Sequence, residues 1–102
     1  MATKSEARKF LEKLDQGPIT FGQLVESHRL CDEISQAELA RKMHISRAHL
    51  CDIEKGRRLG NDERAARFAK VLGYPVSSFV TAALEDQLRK AGLRMRVTVE
   101  AA

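Results

Sequence analysis

SQAELARKMHISRAHLCDIEKGRR, Ser35 to Arg58, decides how the rest of the chain reads. Ser35 suits a helix N-cap, and Glu38 three residues on completes a capping box. Ile34 and Leu39 stand where a hydrophobic staple would clamp that helix start. The grammar then repeats, with Ser46 as the second cap and Ile45 and Leu50 at the staple positions. Leu39, Ala40 and Met43 make one apolar edge, and Leu50 and Ile53 make another. Gly56 offers the left-handed stop that ends many helices. The stretch is therefore expected to form two short helices joined by a turn from about Met43 to Ile45.

Two helices joined so tightly meet the spacing of a helix-turn-helix. Ser35-Gln36, Glu38-Leu39-Ala40, Ser46, Leu50 and Ile53-Glu54-Lys55-Gly56-Arg57 together resemble the Xre/Cro-type phage repressors and their bacterial relatives. Small Ala40 lets the two helices approach closely. The family usually has Gly at the turn position held here by His44, where the backbone must enter the left-handed region; His tolerates that better than most side chains. The resemblance covers roughly residues 20 to 75. It implies an all-α, five-helix, phage-repressor-like domain whose third helix, about 46–56, reads DNA. It also implies an ion pair. In the family an Arg at the offset of Arg29 pairs with the Glu that closes the reading helix, here Glu54, in a geometry that can be bidentate. The small size also resembles HigA-like antitoxins, which bind their own operator and neutralise a partner toxin.

The flanking residues supply the other helices. Thr20 and Gln23 make a capping box and Ile19 with Leu24 a staple, and Phe21, Leu24, Val25 and His28 line the face of the helix that follows. His28 reads as a partly buried core residue. Asn61 caps a further helix, with Asp62 and Glu63 favourable at its positive end and Ala65, Phe68, Ala69 and Leu72 as its buried stripe. Gly73 and Pro75 stop it. The last helix is expected to start at Ser77 or Ser78, with Val80, Ala83, Leu84, Gln87, Leu88 and Ala91 inward. Glu85–Arg89 and Asp86–Lys90 are its expected surface pairs, and Gly92 its end. From Leu93 to Glu100 the period changes to two: Leu93, Met95, Val97 and Val99 alternate with Arg94, Arg96, Thr98 and Glu100, the pattern of a half-buried β-strand. Before the core, Ala7, Phe10, Leu11 and Leu14 fall at helical spacing, and Gly17-Pro18 breaks that segment. It reads as an arm laid on the core or as a docking segment for another protein. The expected organisation is 1–18 an N-terminal helical arm, 19–92 the DNA-binding domain, and 93–102 a C-terminal dimerisation strand and tail.

Composition narrows the function. The chain has 102 residues, enough for one domain, with four Phe, one Tyr and no Trp to fill its core. Net charge is +4, which suits nucleic acid as a partner without proving it. Cys31 and Cys51 make no disulfide framework. His28-x-x-Cys31 could chelate across one helical turn. His49-x-Cys51 could not join it, because residues two apart face different sides. Ordinary free thiols and no metal or cofactor are expected. No Ser, His and acid arrangement points to catalysis, so the chain is not expected to be an enzyme. No apolar run approaches the roughly 20 residues of a membrane helix, and no signal-peptide pattern opens the chain. The expected compartment is the cytoplasm, with nucleoid association through DNA.

Base readout needs donors that reach base edges, with phosphate clamps around them. Arg47 lies where family members point at bases, and Arg pairs bidentately with guanine. Ala48 suits a thymine methyl, Asp52 the cytosine amine, and His49 a phosphate or a base. Gln36 and Ser46 are phosphate contacts by resemblance, and Lys55, Arg57 and Arg58 suit the flanking backbone. The bland reading is a solvated basic face that binds nothing. The expected protein is a dimeric, sequence-specific repressor on a pseudo-palindromic double-stranded operator. Leu93, Met95, Val97 and Val99 would form the homodimer interface, and a toxin would be a further partner if the antitoxin resemblance holds. The competing reading is a protein-interaction module that neutralises a partner without its own DNA readout.

Overall fold

A computed structural model describes residues 19–100, which form five helices: α1 (Phe21–Cys31), α2 (Gln36–Met43), α3 (Arg47–Glu54), α4 (Asp62–Leu72) and α5 (Val76–Lys90). The expected N-terminal arm over 1–18 lies outside the described residues.

Local chemistry sets most of the helix ends. Thr20 Oγ1 accepts from Gln23 N at 3.1 Å and Gln23 Oε1 accepts from Thr20 N at 3.0 Å, a complete capping box. Ser35 accepts from Glu38 N, Ser46 from His49 N and Asn61 from Arg64 N, so α2, α3 and α4 each begin on a side-chain cap. His44 closes α2 in the left-handed region at φ 58°, ψ 40°, which lets the chain reverse within three residues.

The core is one cluster. Phe21 and Val25 of α1, Leu39, Ala40 and Met43 of α2, Leu50 and Ile53 of α3, and Ala65, Phe68, Ala69 and Leu72 of α4 are buried together with Phe79, Ala82 and Ala83 of α5. Phe21 stands edge-on to both Phe68 and Phe79, at ring separations of 5.8 and 6.3 Å. Gly22 decides how α1 meets α3. A Cβ there would lie 2.2 Å from the Ile53 carbonyl oxygen and 2.7 Å from that of Glu54, so only glycine admits this close approach.

The C-terminal part differs from the sequence expectation in three ways. First, α5 starts at Val76 behind Pro75, with no side-chain cap, rather than at Ser77 or Ser78. Second, its buried face is Phe79, Ala82 and Ala83; Val80, Leu84, Gln87 and Leu88 are only half-buried and Ala91 is exposed. That face continues to Asp86, whose Oδ2 accepts from Phe21 N at 2.8 Å and so serves an orphan donor at the start of α1. Asp86 also pairs with Arg89, so the expected Glu85–Arg89 and Asp86–Lys90 pairs are replaced. Third, Leu93 to Glu100 form no strand, and there is none elsewhere among the described residues. The physical reason is the lack of a ladder: a strand needs a neighbour for its backbone N–H and C=O groups, and the described residues supply none.

Candidate nucleic-acid interface

The sequence-predicted reading residues lie on α3 and the loop after it. Ser46, Arg47 and Ala48 are exposed at the helix start, His49 and Asp52 are half-buried along it, and Lys55, Arg57 and Arg58 are exposed beyond its end. Leu50 and Ile53, at 0% and 1% exposure, turn the opposite side of α3 into the core and fix which side faces out. Among the described residues Arg47, Lys55 and Arg58 have no carboxylate within ion-pair distance, which leaves three unspent cations on this surface.

Buried polar bonds hold the outward side of α3 in place. Arg29 Nε donates to Glu54 Oε2 at 2.8 Å and its terminal nitrogen donates to Glu54 Oε1 at 3.1 Å. The remaining guanidinium nitrogen donates to the Ile34 carbonyl at 3.0 Å. Both residues are buried, at 8% and 4% exposure, so the charges are compensated inside the protein rather than by water. The fork ties the end of α1, the loop before α2 and the end of α3 into one unit.

Gln36 and Asp52 are partly committed elsewhere. Gln36 Nε2 donates to Glu54 Oε1 at 3.0 Å. An amide has two N–H donors, so one remains for a ligand. Asp52 Oδ1 accepts from Arg57 at 3.0 Å, in an exposed pair that a phosphate would have to compete for. Ser46 Oγ spends an acceptor on the His49 amide and keeps its O–H.

Sequence reasoning missed three contributors. Gly22 was legible only as a glycine inside an apolar helix, the usual sign of a close backbone approach. Arg67 of α4 donates to the Met43 carbonyl at the turn, at 3.4 Å, and Arg64 sits one helical turn before it. The signal was two arginines three apart beside the buried stripe of α4. No three His, Cys, Asp or Glu side chains gather into a metal-binding group among the described residues, and Cys31 and Cys51 are free thiols.

Comparison with known proteins agrees with this geometry. Residues 33–79 match the helix-turn-helix family model. Over these residues the chain is similar to a helix-turn-helix of the Xre type. Two crystal structures of the clp gene regulator ClgR from Corynebacterium glutamicum are similar to the chain, each with a TM-score of 0.56 and 26% identity. The match spans 63% of this chain and 83% of ClgR in one, and 71% and 78% in the other. No curated protein matches the chain in sequence. The helix-turn-helix is a binding module, not an enzyme. Among the described residues no helix is long and apolar enough to cross a membrane.

Proposed function

We propose that this chain is a sequence-specific transcriptional regulator that inserts α3 into the major groove of double-stranded DNA. The observation that carries the reading is the outward side of α3. Arg47 and Ala48 stand exposed at its first turn, with Ser46 before them and Lys55, Arg57 and Arg58 after them. Beneath them lies a frame fixed by the buried Arg29–Glu54 fork. In this reading Arg47 and Ala48 meet base edges, with His49 and Asp52 behind them, and Gln36, Ser46, Lys55, Arg57 and Arg58 position the phosphates. The unspent cations argue against a module that ignores nucleic acid.

The finer reading is a dimeric repressor organised by the C-terminal tail. Leu93 and Met95 are 48% and 59% exposed in the single chain, an apolar pair that needs cover. The same tail from a second copy would supply both that cover and an antiparallel ladder, because such a pair is self-complementary under two-fold symmetry. Half-sites would then lie about 34 Å apart or a multiple of that. The antitoxin role adds a toxin bound through residues 1–17, where Phe10, Leu11 and Leu14 form a stripe in the sequence. Deleting that segment should spare DNA binding and lose the toxin.

The decisive experiment is selection of bound duplexes from a random pool, followed by titration of variants on the selected site. Arg47→Ala should cost about 1–3 kcal/mol and relax preference at one base position. Arg58→Ala should weaken all sequences alike and lower the salt slope by about one. Unchanged binding by Arg47→Ala would remove α3 as the reader.

A further inference from the structure

The tail does not leave α5 freely. Gly92 takes the left-handed region at φ 82°. Its N–H donates to the Arg89 carbonyl at 2.9 Å, and the Leu93 N–H donates to the Leu88 carbonyl at 2.8 Å. These two bonds make a Schellman turn, which reverses the chain over the last turn of the helix. Beside it lies a groove of about 650 Å³, lined by Glu85 and Arg89 of α5 and by Arg94, Met95 and Arg96 of the tail. Three guanidinium groups share that lining with one carboxylate. Arg94 and Arg96 have no carboxylate within ion-pair distance among the described residues. Arg89 is steered in advance: it bonds Asp86, whose other oxygen accepts from the Phe21 amide at 2.8 Å. A guanidinium carries five N–H donors, so Arg89 keeps most of its own for a ligand. Met95, 59% exposed, adds an apolar edge.

We propose that this groove binds a small organic anion, a carboxylate or phosphate ester with a short apolar body. The oxyanion takes the guanidinium forks, which match carboxylate and phosphate oxygens two at a time. The apolar body lies on Met95. Glu85, the lone acid of the lining, disfavours bare polyanions and offers an acceptor to a ligand hydroxyl or amine. The volume is that of a small-molecule site, within the usual range of roughly 300–1,000 Å³. Other segments of the chain fit this charge poorly. A second tail would bring Arg94 and Arg96 with a single Glu100, and residues 1–18 carry four Lys and Arg against three Asp and Glu. A duplex on α3 lies on other elements, because α5 packs on α4 and α1 whereas α3 packs on α2 and α1. The site therefore stands whether or not α3 reads DNA. A bound anion bridges Arg89 to Arg94 and Arg96, and so pins the tail along α5.

The test is NMR of the full chain titrated with phenyl phosphate at constant ionic strength. The backbone amides of Arg94, Met95 and Arg96 should shift and saturate, with Kd of about 1 mM or below, as for a small ligand in a preformed site. Phenylacetate is run beside it, and the tighter probe names the oxyanion class. Inorganic phosphate and neutral benzyl alcohol should each bind at least about tenfold more weakly, because each lacks half of the ligand. Arg94→Gln should weaken the tighter probe by about tenfold, through the loss of charge-assisted hydrogen bonds. Arg94 is exposed, so this variant keeps its fold. Lys70→Gln, an equal loss of charge at an exposed position of α4, should leave probe binding unchanged. The absence of a saturable shift with either probe overturns the proposal, a readout that needs no variant to fold. So do shifts centred on α3, equal binding by benzyl alcohol, or full affinity in Arg94→Gln. Displacement of the probe by hexaglutamate at lower concentration overturns it too, and gives the groove to an acidic protein segment.

Discussion

The helix-turn-helix over 36–54 and the C-terminal region over 76–100 contain similar amounts of apolar residue, yet only the first is written locally. In α2 and α3, caps, turn, apolar edges and stop lie within a few residues of one another, and each agrees with the rest. Ser35 and Ser46 bond three residues on, His44 takes the left-handed turn, and Leu39 and Leu50 are both fully buried. In α5 and the tail the deciding partners are distant. Asp86 points inward because the Phe21 amide, 65 positions away, needs an acceptor. The tail forms no strand, and no ladder partner for it lies among the described residues. Local agreement makes structure legible, and partnership across the fold, or beyond it, hides it.

The sharpest way to break this comparison is the buried fork, a part of the reading surface that depends on a residue 25 positions away. Glu54→Ala should destabilise by roughly 3–5 kcal/mol, because Arg29, only 8% exposed, keeps its charge and loses its partner. Arg29→Ala should cost a similar amount, and the double change much less than the sum. Additive losses in urea melts would show that the two act independently. The matching experiment in the tail, Arg94→Ala, should leave stability within about 0.5 kcal/mol, since Arg94 is exposed.

The second test asks what the tail is for. Truncation after Gly92 removes Leu93 and Met95, both largely exposed, and should leave the helical core intact. If the tail organises a dimer, light scattering should report a monomer. Affinity for a two-half-site duplex should fall by roughly 100-fold or more, as the second contact loses its effective concentration. A truncated protein that stays dimeric with unchanged affinity would end that role for the tail.

The residues show where the sequence sufficed. Helical spacing marks Ala65, Phe68, Ala69 and Leu72 as the stripe of α4, and all four are buried. The stripe of α5 departs from the helical spacing of its apolar residues because its inward face runs Phe79, Ala82, Ala83, Asp86. A carboxylate at the fourth position looks like the wet side until the Phe21 amide is seen. The reading residues of the candidate site were visible as types at positions. Their commitments were not: nothing in the spacing shows Gln36 bonded to Glu54, or Arg64 acting on His49. Those contacts depend on how the helices cross, which is also what brings Gly22 of α1 against the Ile53 and Glu54 carbonyls of α3.

A smaller effect tests the locally written half. Ser46→Ala removes the acceptor of the His49 amide at the start of α3 and should cost about 1 kcal/mol, the usual worth of such a cap. Pro75 makes no side-chain cap bond at the start of α5, so Pro75→Ala loses no comparable interaction. Equal losses at the two helix starts, measured by thermal melts, would mean that caps do not mark the difference between the regions.

The smallest effect is a proton on the seam between α1 and α5. The His28 ring lies 3.8 Å from that of Tyr74 and 5.4 Å from that of Phe79, and the Tyr74 hydroxyl donates to Asp32 Oδ1 at 3.2 Å. Burial holds His28 below its ordinary value, and Asp32 pulls it back only in part. In the unfolded chain His28 titrates near its ordinary 6.5, so around that pH the unfolded state binds more protons than the folded one. The contribution of His28 is therefore fully present above pH 6.5 and is lost as pH falls toward its lower folded value. His49 has the same sign, so the wild-type slope contains both. His28→Phe keeps an aromatic ring on Tyr74 and removes the titration. Urea melts of wild type and His28→Phe at about pH 8 and about pH 5 separate the two. Wild type should lose more stability on acidification than the variant. Identical losses would mean that His28 keeps its solution behaviour inside the fold and that the aromatic seam does not sense pH.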